Sequence, residues 1–237
     1  MVFTSCNPTK YVPADESLLN ENHVKVNSER IQKNSLMPYI KQLPNKKIFG
    51  ARFHLGLYNL SNLEKDNWFH KWLREIGEEP VIFDPYATVK SKDQIRSFVA
   101  SKGYFDAKVS DTITVSKQKT DVYYDIDLLP PYTIHNIYNE IADSNVKKLY
   151  LFDSMNCVIE RGKPYDVDLL QAERSRFERF VRDHGFYGFS GDHIFFRVDS
   201  TVGNRQVDIY YGVKKFMTID ESSKISLVQH PIYKVKN

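Results

Sequence analysis

The chain has 237 residues, 41% hydrophobic and 27% charged, with 33 Lys plus Arg against 30 Asp plus Glu. This globular composition leaves room for one large domain or two of about 100 residues, and a net charge of +3 is too balanced for a dedicated nucleic-acid binder. No apolar run reaches the roughly 18 residues of a membrane-spanning helix. The two cysteines, Cys6 and Cys157, exclude a disulfide framework and a metal site built on Cys pairs.

The chain opens on Met1-Val2-Phe3-Thr4-Ser5-Cys6, apolar and then small residues ahead of a cysteine. That looks like the end of a bacterial lipoprotein signal and makes Cys6 a candidate lipid-attachment residue, although the charged and longer apolar parts of such a signal are missing. The alternative is an ordinary free thiol. Asn7 to Glu16 is polar, contains Pro8 and Pro13, and predicts a tether. Alternation over Asn22–Val26 predicts a strand. Leu36 to Leu43 is helical in pattern, with Pro38 confining it to a first turn or a break. Phe49, Phe53, Leu57 and Leu60 fall on one helical face, and Trp68, Trp72, Leu73 and Ile76 on another, ended by Gly77 at C′ with Pro80 beyond. Ser91-Lys92-Asp93-Gln94 reads as a capping box ahead of the stripe Ile95, Phe98 and Val99, which Gly103 stops. Val109 to Val115 alternates as a strand, Lys117-Gln118-Lys119 is a polar turn, and Val122, Tyr124, Ile126 and Leu128 share a face of the strand that follows.

The unit then repeats. Ile95, Phe98, Val99, Gly103, Tyr104 and Phe105 align with Phe177, Phe180, Val181, Gly185, Phe186 and Tyr187 at a constant offset of 82. Asp166 is the N-cap candidate of the second helix, and strands are predicted at His193–Val198 and Gln206–Val213 around a turn at Gly203-Asn204. The alternating strand Tyr132 to Ile137 recurs as Ile232 to Asn237, as in an array of modules. Each module reads strand, helix, helix, strand, strand. Glycine permits the left-handed helix end, and the two rings after it can pin the returning chain to the sheet.

The polar residues offer no catalytic constellation. The seven histidines are scattered, and His184 suits a helix C-terminus. Gly188-Phe189-Ser190-Gly191 lacks the spacing of a nucleophile elbow. Asp125/Asp127 read as a solvated strand face and Asp166/Asp168 as a cap. Arg174, Arg176, Arg179 and Arg182, interrupted by Glu173 and Glu178, read as a solvated helix face. Tyr123-Tyr124 and Phe195-Phe196 invite an RNA-stacking reading, but alternation exposes only one ring of each pair.

Ser-Lys-Gly-Tyr-Phe at 101–105, Asp-His-Gly-Phe-Tyr at 183–187 and the run Pro131-Tyr132-Thr133-Ile134 into the next module resemble the POTRA modules of the BamA/TamA (Omp85) outer-membrane assembly family. Cys6 ahead of Tyr11-Val12-Pro13, together with 40–45, 57–61, 76–81 and 188–199, is most similar to the TamA-like lipoprotein branch of Bacteroidetes, TamL. The resemblance implies an α+β fold of tandem βααββ modules, each a small mixed sheet with two helices on one face. Expected divisions are 1–17 as signal remnant and tether, 18–131 as a first module with a long helical insert, 132–214 as a second module, and 215–237 as a linker and first strand of a truncated next module. It also implies a non-enzymatic, cofactor-free periplasmic region of an outer-membrane protein assembly or translocation factor, at the periplasmic side of the bacterial outer membrane. Membrane contact would come through lipid on Cys6 and a C-terminal barrel lying outside this chain. The partners would be unfolded outer-membrane proteins or periplasmic proteins, and no nucleic acid. In such sheets the second strand is an edge open to strand addition, here Val109–Val115 or, better, His193, Ile194, Phe195, Phe196, Arg197 and Val198. A barrel-less scaffold lipoprotein is the alternative, and a nucleic-acid-binding α+β domain a more distant one.

Overall fold

The computed structural model describes residues 7–219 and 225–233. Cys6 lies outside the described residues, as do 234–237 of the expected third strand. The fold is α+β, in two compact units. Met1–Val99 with Asp106–Leu128 make the first, and Ala100–Phe105 with Leu129–Asn237 the second.

In the first unit β1 (Leu18–Val26), β2 (Lys108–Ser116) and β3 (Lys119–Asp127) form a sheet of order β1-β3-β2. β3 runs parallel to β1 and antiparallel to β2, with His23 and Thr112 both level with Tyr123. Four helices lie between β1 and β2: α1 (Lys33–Leu36), α2 (Phe53–Leu60), α3 (Trp68–Ile76) and α4 (Pro85–Ser101). Val24, Val122, Tyr124, Ile126, Ile95 and Val99 are among the buried apolar residues. The helical pattern at Leu36–Leu43 reduces to α1 and a 3₁₀ turn at Met37–Tyr39, as a proline at the first turn allows.

Four expectations for this unit fail for local physical reasons. The capping box at Ser91 is no helix start. α4 already begins at Pro85, where Asp84 Oδ1 accepts from the Tyr86 amide at 2.8 Å, an acidic cap followed by a preset φ. Ser91 is buried inside the helix, donating to Ala87 O (2.7 Å) and accepting from the Lys41 amide (2.9 Å). The apolar stripes of α2 and α3 have the right period and the wrong phase. α2 buries Leu55, Tyr58 and Asn59, and α3 buries Leu73, so Phe53, Leu60, Trp68 and Trp72 face water. Gly77 is not left-handed, with φ −78. It is glycine because a Cβ there would meet Leu73 O at 2.6 Å and Tyr58 N at 2.7 Å, where α3 ends against α2. Finally, 7–16 is not a free tether. Val12 is buried in a cluster with Leu18 and Leu55, and Gln118 Nε2 donates to the carbonyls of Val12 (3.2 Å) and Pro13 (2.6 Å).

The second unit runs β4 (Thr133–Ile141), α5 (Ser144–Phe152), α6 (Val167–Asp183), β5 (Ile194–Asp199) and β6 (Gln206–Val213), a βααββ order with sheet order β4-β6-β5. β6 is parallel to β4 and antiparallel to β5. Asp143 caps α5 by accepting from the amides of Asn145 and Val146, and Asp166 caps α6. Phe177 and Val181 of α6 pack with Val146, Phe186, Ile194, Tyr211 and Val213. Leu170 packs with Ile134, Tyr165, Val207 and Ile209. The helix-end glycines match, Gly103 with φ +89 and Gly185 with φ +95, and each is followed by a buried ring, Tyr104 and Phe186. Phe98 and Phe180 are half-buried at equivalent places. In the stretch expected to be a linker and the first strand of a next module, the described residues include a two-stranded antiparallel ladder, β7 (Phe216–Ile219) with β8 (Ile225–Val228).

Candidate docking edges

Each three-stranded sheet has its last strand in the middle, so β2 and β5 have one bonded neighbour among the described residues. Edge backbone of this kind can accept a further strand. β2 meets β3 through a two-residue hairpin at Lys117-Gln118, both with positive φ (48 and 59), the geometry that matches strand twist. In β5 the phase of the ladder follows from one bond: the Lys214 amide donates to His193 O at 2.7 Å. Antiparallel ladders alternate, so the N–H and C=O of Phe196 and Val198 and the C=O of Ile194 point away from β6, toward the open edge, while the Ile194 N–H donates to Gly191 O.

The side chains of β5 divide as alternation requires. Ile194 is buried, and Phe196 and Val198 are packed against the core on the helix side. Phe196 meets the Tyr211 ring edge-on at 5.0 Å and lies 5.7 Å from the Arg174 guanidinium. Phe195 and Arg197 occupy the other face. The Phe195 ring lies over Gly212, where a Cβ would come within 2.1 Å of it, so glycine on β6 makes the seat for that ring. Arg197 sits 3.7 Å over Tyr210, which stacks on Tyr138 at 5.0 Å, and pairs with Glu140 at 2.6 Å. His193 departs from the expected strand. It ends a 3₁₀ turn at Gly191–His193, and its Nδ1 accepts from the Ser190 amide at 3.0 Å. The ring is spent on the turn, and β5 starts at Ile194.

Sequence reasoning missed a buried ionic network beneath this sheet. Glu173 and Arg176 are not on a solvated face. Leu170, Glu173, Phe177 and Val181 form the buried stripe of α6, and that spacing was the available signal. Arg176 donates side-on to both Glu173 oxygens at 2.8 Å and also to Asp153. Glu173 Oε2 further accepts from the Val158 amide at 3.1 Å. The hydrogen bonds to Glu173 hold the Arg176 guanidinium above its ordinary pKa. Burial, with Glu173 adding, pushes the Cys157 thiol up to about 11. A thiol so protonated is a poor nucleophile. The helix ends hold another repeat within the second unit. Tyr132 N donates to Gly103 O at 2.8 Å and Tyr233 N to Gly185 O at 2.9 Å. The Phe105 and Tyr187 rings lie 4.9 and 6.3 Å from Tyr132 and Tyr233.

Residues 20–128 match the POTRA family, described as "Surface antigen variable number repeat". The match runs from within β1 to just past the end of β3 and so contains the β2 edge. No curated protein matches the chain. Similar solved structures include BamA from Haemophilus ducreyi lacking POTRA domains 1–3, at 17% identity and a TM-score of 0.40 over 85% of this chain and 30% of that one. Haemophilus influenzae BamA POTRA3–5 gives 16% identity and a TM-score of 0.33, over 86% of this chain and 100% of that one. The N-terminal domain of Omp85 from Thermosynechococcus elongatus gives 11% and 0.35, over 83% and 62%. The chain thus spans under a third of the first of these. No helix among the described residues is long and apolar enough to cross a membrane.

Proposed function

We propose that this chain is a non-enzymatic periplasmic POTRA region of an outer-membrane protein assembly factor, working at the periplasmic side of the bacterial outer membrane. It receives unfolded outer-membrane proteins or periplasmic partners as an added strand. Its membrane contacts are lipid on Cys6, as in the TamA-like lipoprotein branch, and a barrel in the longer protein. The observation that carries this reading is the recurrence of one sheet order, with the second strand left as an edge, joined to the POTRA match over 20–128. On β5 the outward amides belong to residues whose side chains are already used by the core, so pairing costs no repacking. Arg197, held by Glu140 and Tyr210, places a charge beside the edge, which discourages indiscriminate pairing.

The test uses the outward amide of Val198. Val198→Pro removes a donor aimed at the partner and no ladder bond, and Val198→Ala controls for the lost side chain. A photo-cross-linker at Arg197 should capture client polypeptide in cells. Capture should fall severalfold in Val198→Pro and persist in Val198→Ala, with circular dichroism unchanged in both. Undiminished capture by a folded Val198→Pro chain would overturn β5 as the docking strand.

A further inference from the structure

The first unit carries apolar surface that the strand edges do not use. α2 turns Phe53, Gly56, Leu57 and Leu60 outward, with Phe53 58% and Leu60 60% exposed. These residues and Pro8 line one groove of about 410 Å³. A single helix that buries polar Asn59 and exposes phenylalanine and leucine reverses the usual amphipathic choice, and contiguous exposed apolar surface marks an interaction site. The next helix, α3, adds Trp68 and Trp72, 77% and 47% exposed.

The position of the leader says what covers the α2 face. Asn59 Nδ2 donates to Asn7 O at 3.1 Å, Lys10 Nζ to Asn59 O at 2.6 Å, and Tyr11 OH to Ser61 O at 2.5 Å. The Tyr11 and Tyr58 rings meet edge-on at 6.0 Å. The chain is therefore fastened to α2 from Asn7 onward. Consecutive Cα atoms are about 3.8 Å apart, so residue 6 can be no farther than that from Asn7. A lipid carried by the residue before Asn7 would therefore start within a residue or two of Pro8, which lines the groove with Phe53, Leu57 and Leu60.

We propose that the outward face of α2 is a membrane-binding surface, with Phe53, Leu57 and Leu60 seated at the headgroup–acyl boundary of the bilayer that holds the Cys6 lipid. This rests on the reading of Cys6 as acylated. It adds to that reading that the first unit lies on the membrane instead of swinging from it. A lipoprotein cysteine carries several acyl chains and holds the N-terminus at the bilayer, and the α2 face adds a second membrane signal that lays the first unit against it. Phenylalanine and leucine on a helix face lying in the interface are residues of the kind that supply such a signal.

The experiment separates the two readings. Mass spectrometry of the N-terminal peptide from cells reports whether Cys6 is acylated. Independently, the purified chain is coupled through Cys6 to maleimide lipid in phosphatidylethanolamine/phosphatidylglycerol vesicles, with Cys157→Ala making the coupling unique. In a Trp68→Phe, Trp72→Phe background, Phe53→Trp reports contact with brominated lipid, and Glu29→Trp, an exposed position, is the reference. Quenching should be several times stronger at position 53, and Leu57→Ser with Leu60→Ser should reduce it to the reference level. Equal quenching at 53 and 29 would overturn the proposal even if Cys6 is acylated. A concentration-dependent dimer abolished by Leu60→Ser, with no quenching, would overturn it in favour of a second copy of the chain.

Discussion

Removing the Glu173 carboxylate should weaken the second unit more than its single ion pair on a helix would suggest. Glu173 is fully buried, Arg176 binds both of its oxygens at 2.8 Å, and the Val158 amide depends on it at 3.1 Å. In Glu173→Ala the guanidinium keeps only Asp153, and the Val158 amide loses its acceptor. Breaking a buried pair from one side costs about 3–5 kcal/mol, and an orphaned buried amide about 1–3 kcal/mol. These overlap, and Arg176 retains some water access, so the expected total is about 3–5 kcal/mol. Glu173→Gln keeps an acceptor for Val158 and loses the charge, costing about 1–3 kcal/mol. Glu173→Met with Arg176→Met removes both charges and should cost less than Glu173→Ala. Trp68 and Trp72, the two tryptophans of the chain, report the first unit, so fluorescence is blind here. Hydrogen exchange of the 167–183 amides is the assay, where 3 kcal/mol reads as roughly a hundredfold loss of protection. If the double Met variant lost as much protection as Glu173→Ala, lost packing and not an uncompensated charge would be the cause, and the reasoning would fail.

Two further outcomes follow from buried groups in the second unit. The Tyr211 hydroxyl is buried with no hydrogen-bond partner among the described residues, so Tyr211→Phe should leave protection unchanged or raise it, and a loss above about 1 kcal/mol in exchange would reveal a hidden partner. His230 is buried against Asp143, which accepts from its backbone amide at 2.6 Å and lies 3.2 Å from its Nδ1. Burial holds the imidazole below its ordinary 6.5 despite Asp143, and neighbouring His193 adds to the depression. Below pH 6.5 the unfolded segment takes up a proton that the folded one refuses. The contribution of His230 is therefore complete above 6.5 and lost as pH falls through 6.5 toward the folded value. The depressed pKa of Asp143 removes stability only below 3.8, as pH falls through its own folded value. Exchange at the Tyr233 amide should accelerate between pH 7.5 and 5.5 after correction for intrinsic rates, by at most about tenfold per pH unit below 6.5, and His230→Gln should flatten that dependence.

Local chemistry was readable from the residues. Gly103 and Gly185 need left-handed φ, Asp166 caps the helix it opens, and the hairpins at 117–118 and 203–205 join strands whose alternation is plain. These features depend on neighbours within a few residues, and the constant offset of 82 shows the helix-end pattern twice. Where the sequence misleads, the deciding partner is distant. Asn59 turns inward to donate its Nδ2 to Asn7 O, some fifty residues earlier, and Lys10 reaches its backbone carbonyl. That reverses the phase of α2 and exposes Phe53 and Leu60. Ser91 is consumed by the Lys41 amide. Glu173 looks like a break in a basic face until Asp153 and Arg176 are brought around it.

The repeat also reaches past what periodicity alone can express. Strand alternation aligned the run from Tyr132 with the run from Ile232, residue for residue. The hydrogen bonds choose a different register: Tyr233 does for Gly185 what Tyr132 does for Gly103, at a separation of 101 and not 100. In both places a helix-end glycine offers its carbonyl to a tyrosine amide, and the second aromatic after that glycine meets the same tyrosine ring. A β-carbon on Gly103 would meet Tyr132 O at 3.3 Å, besides Tyr165 O at 2.8 Å, and one on Gly185 would meet Tyr233 O at 3.3 Å. The glycines thus serve two needs at once, the left-handed turn and the close passage of the following segment. The aromatic pair after each is divided accordingly, its first ring sent into the core and its second left to guide the chain that comes next.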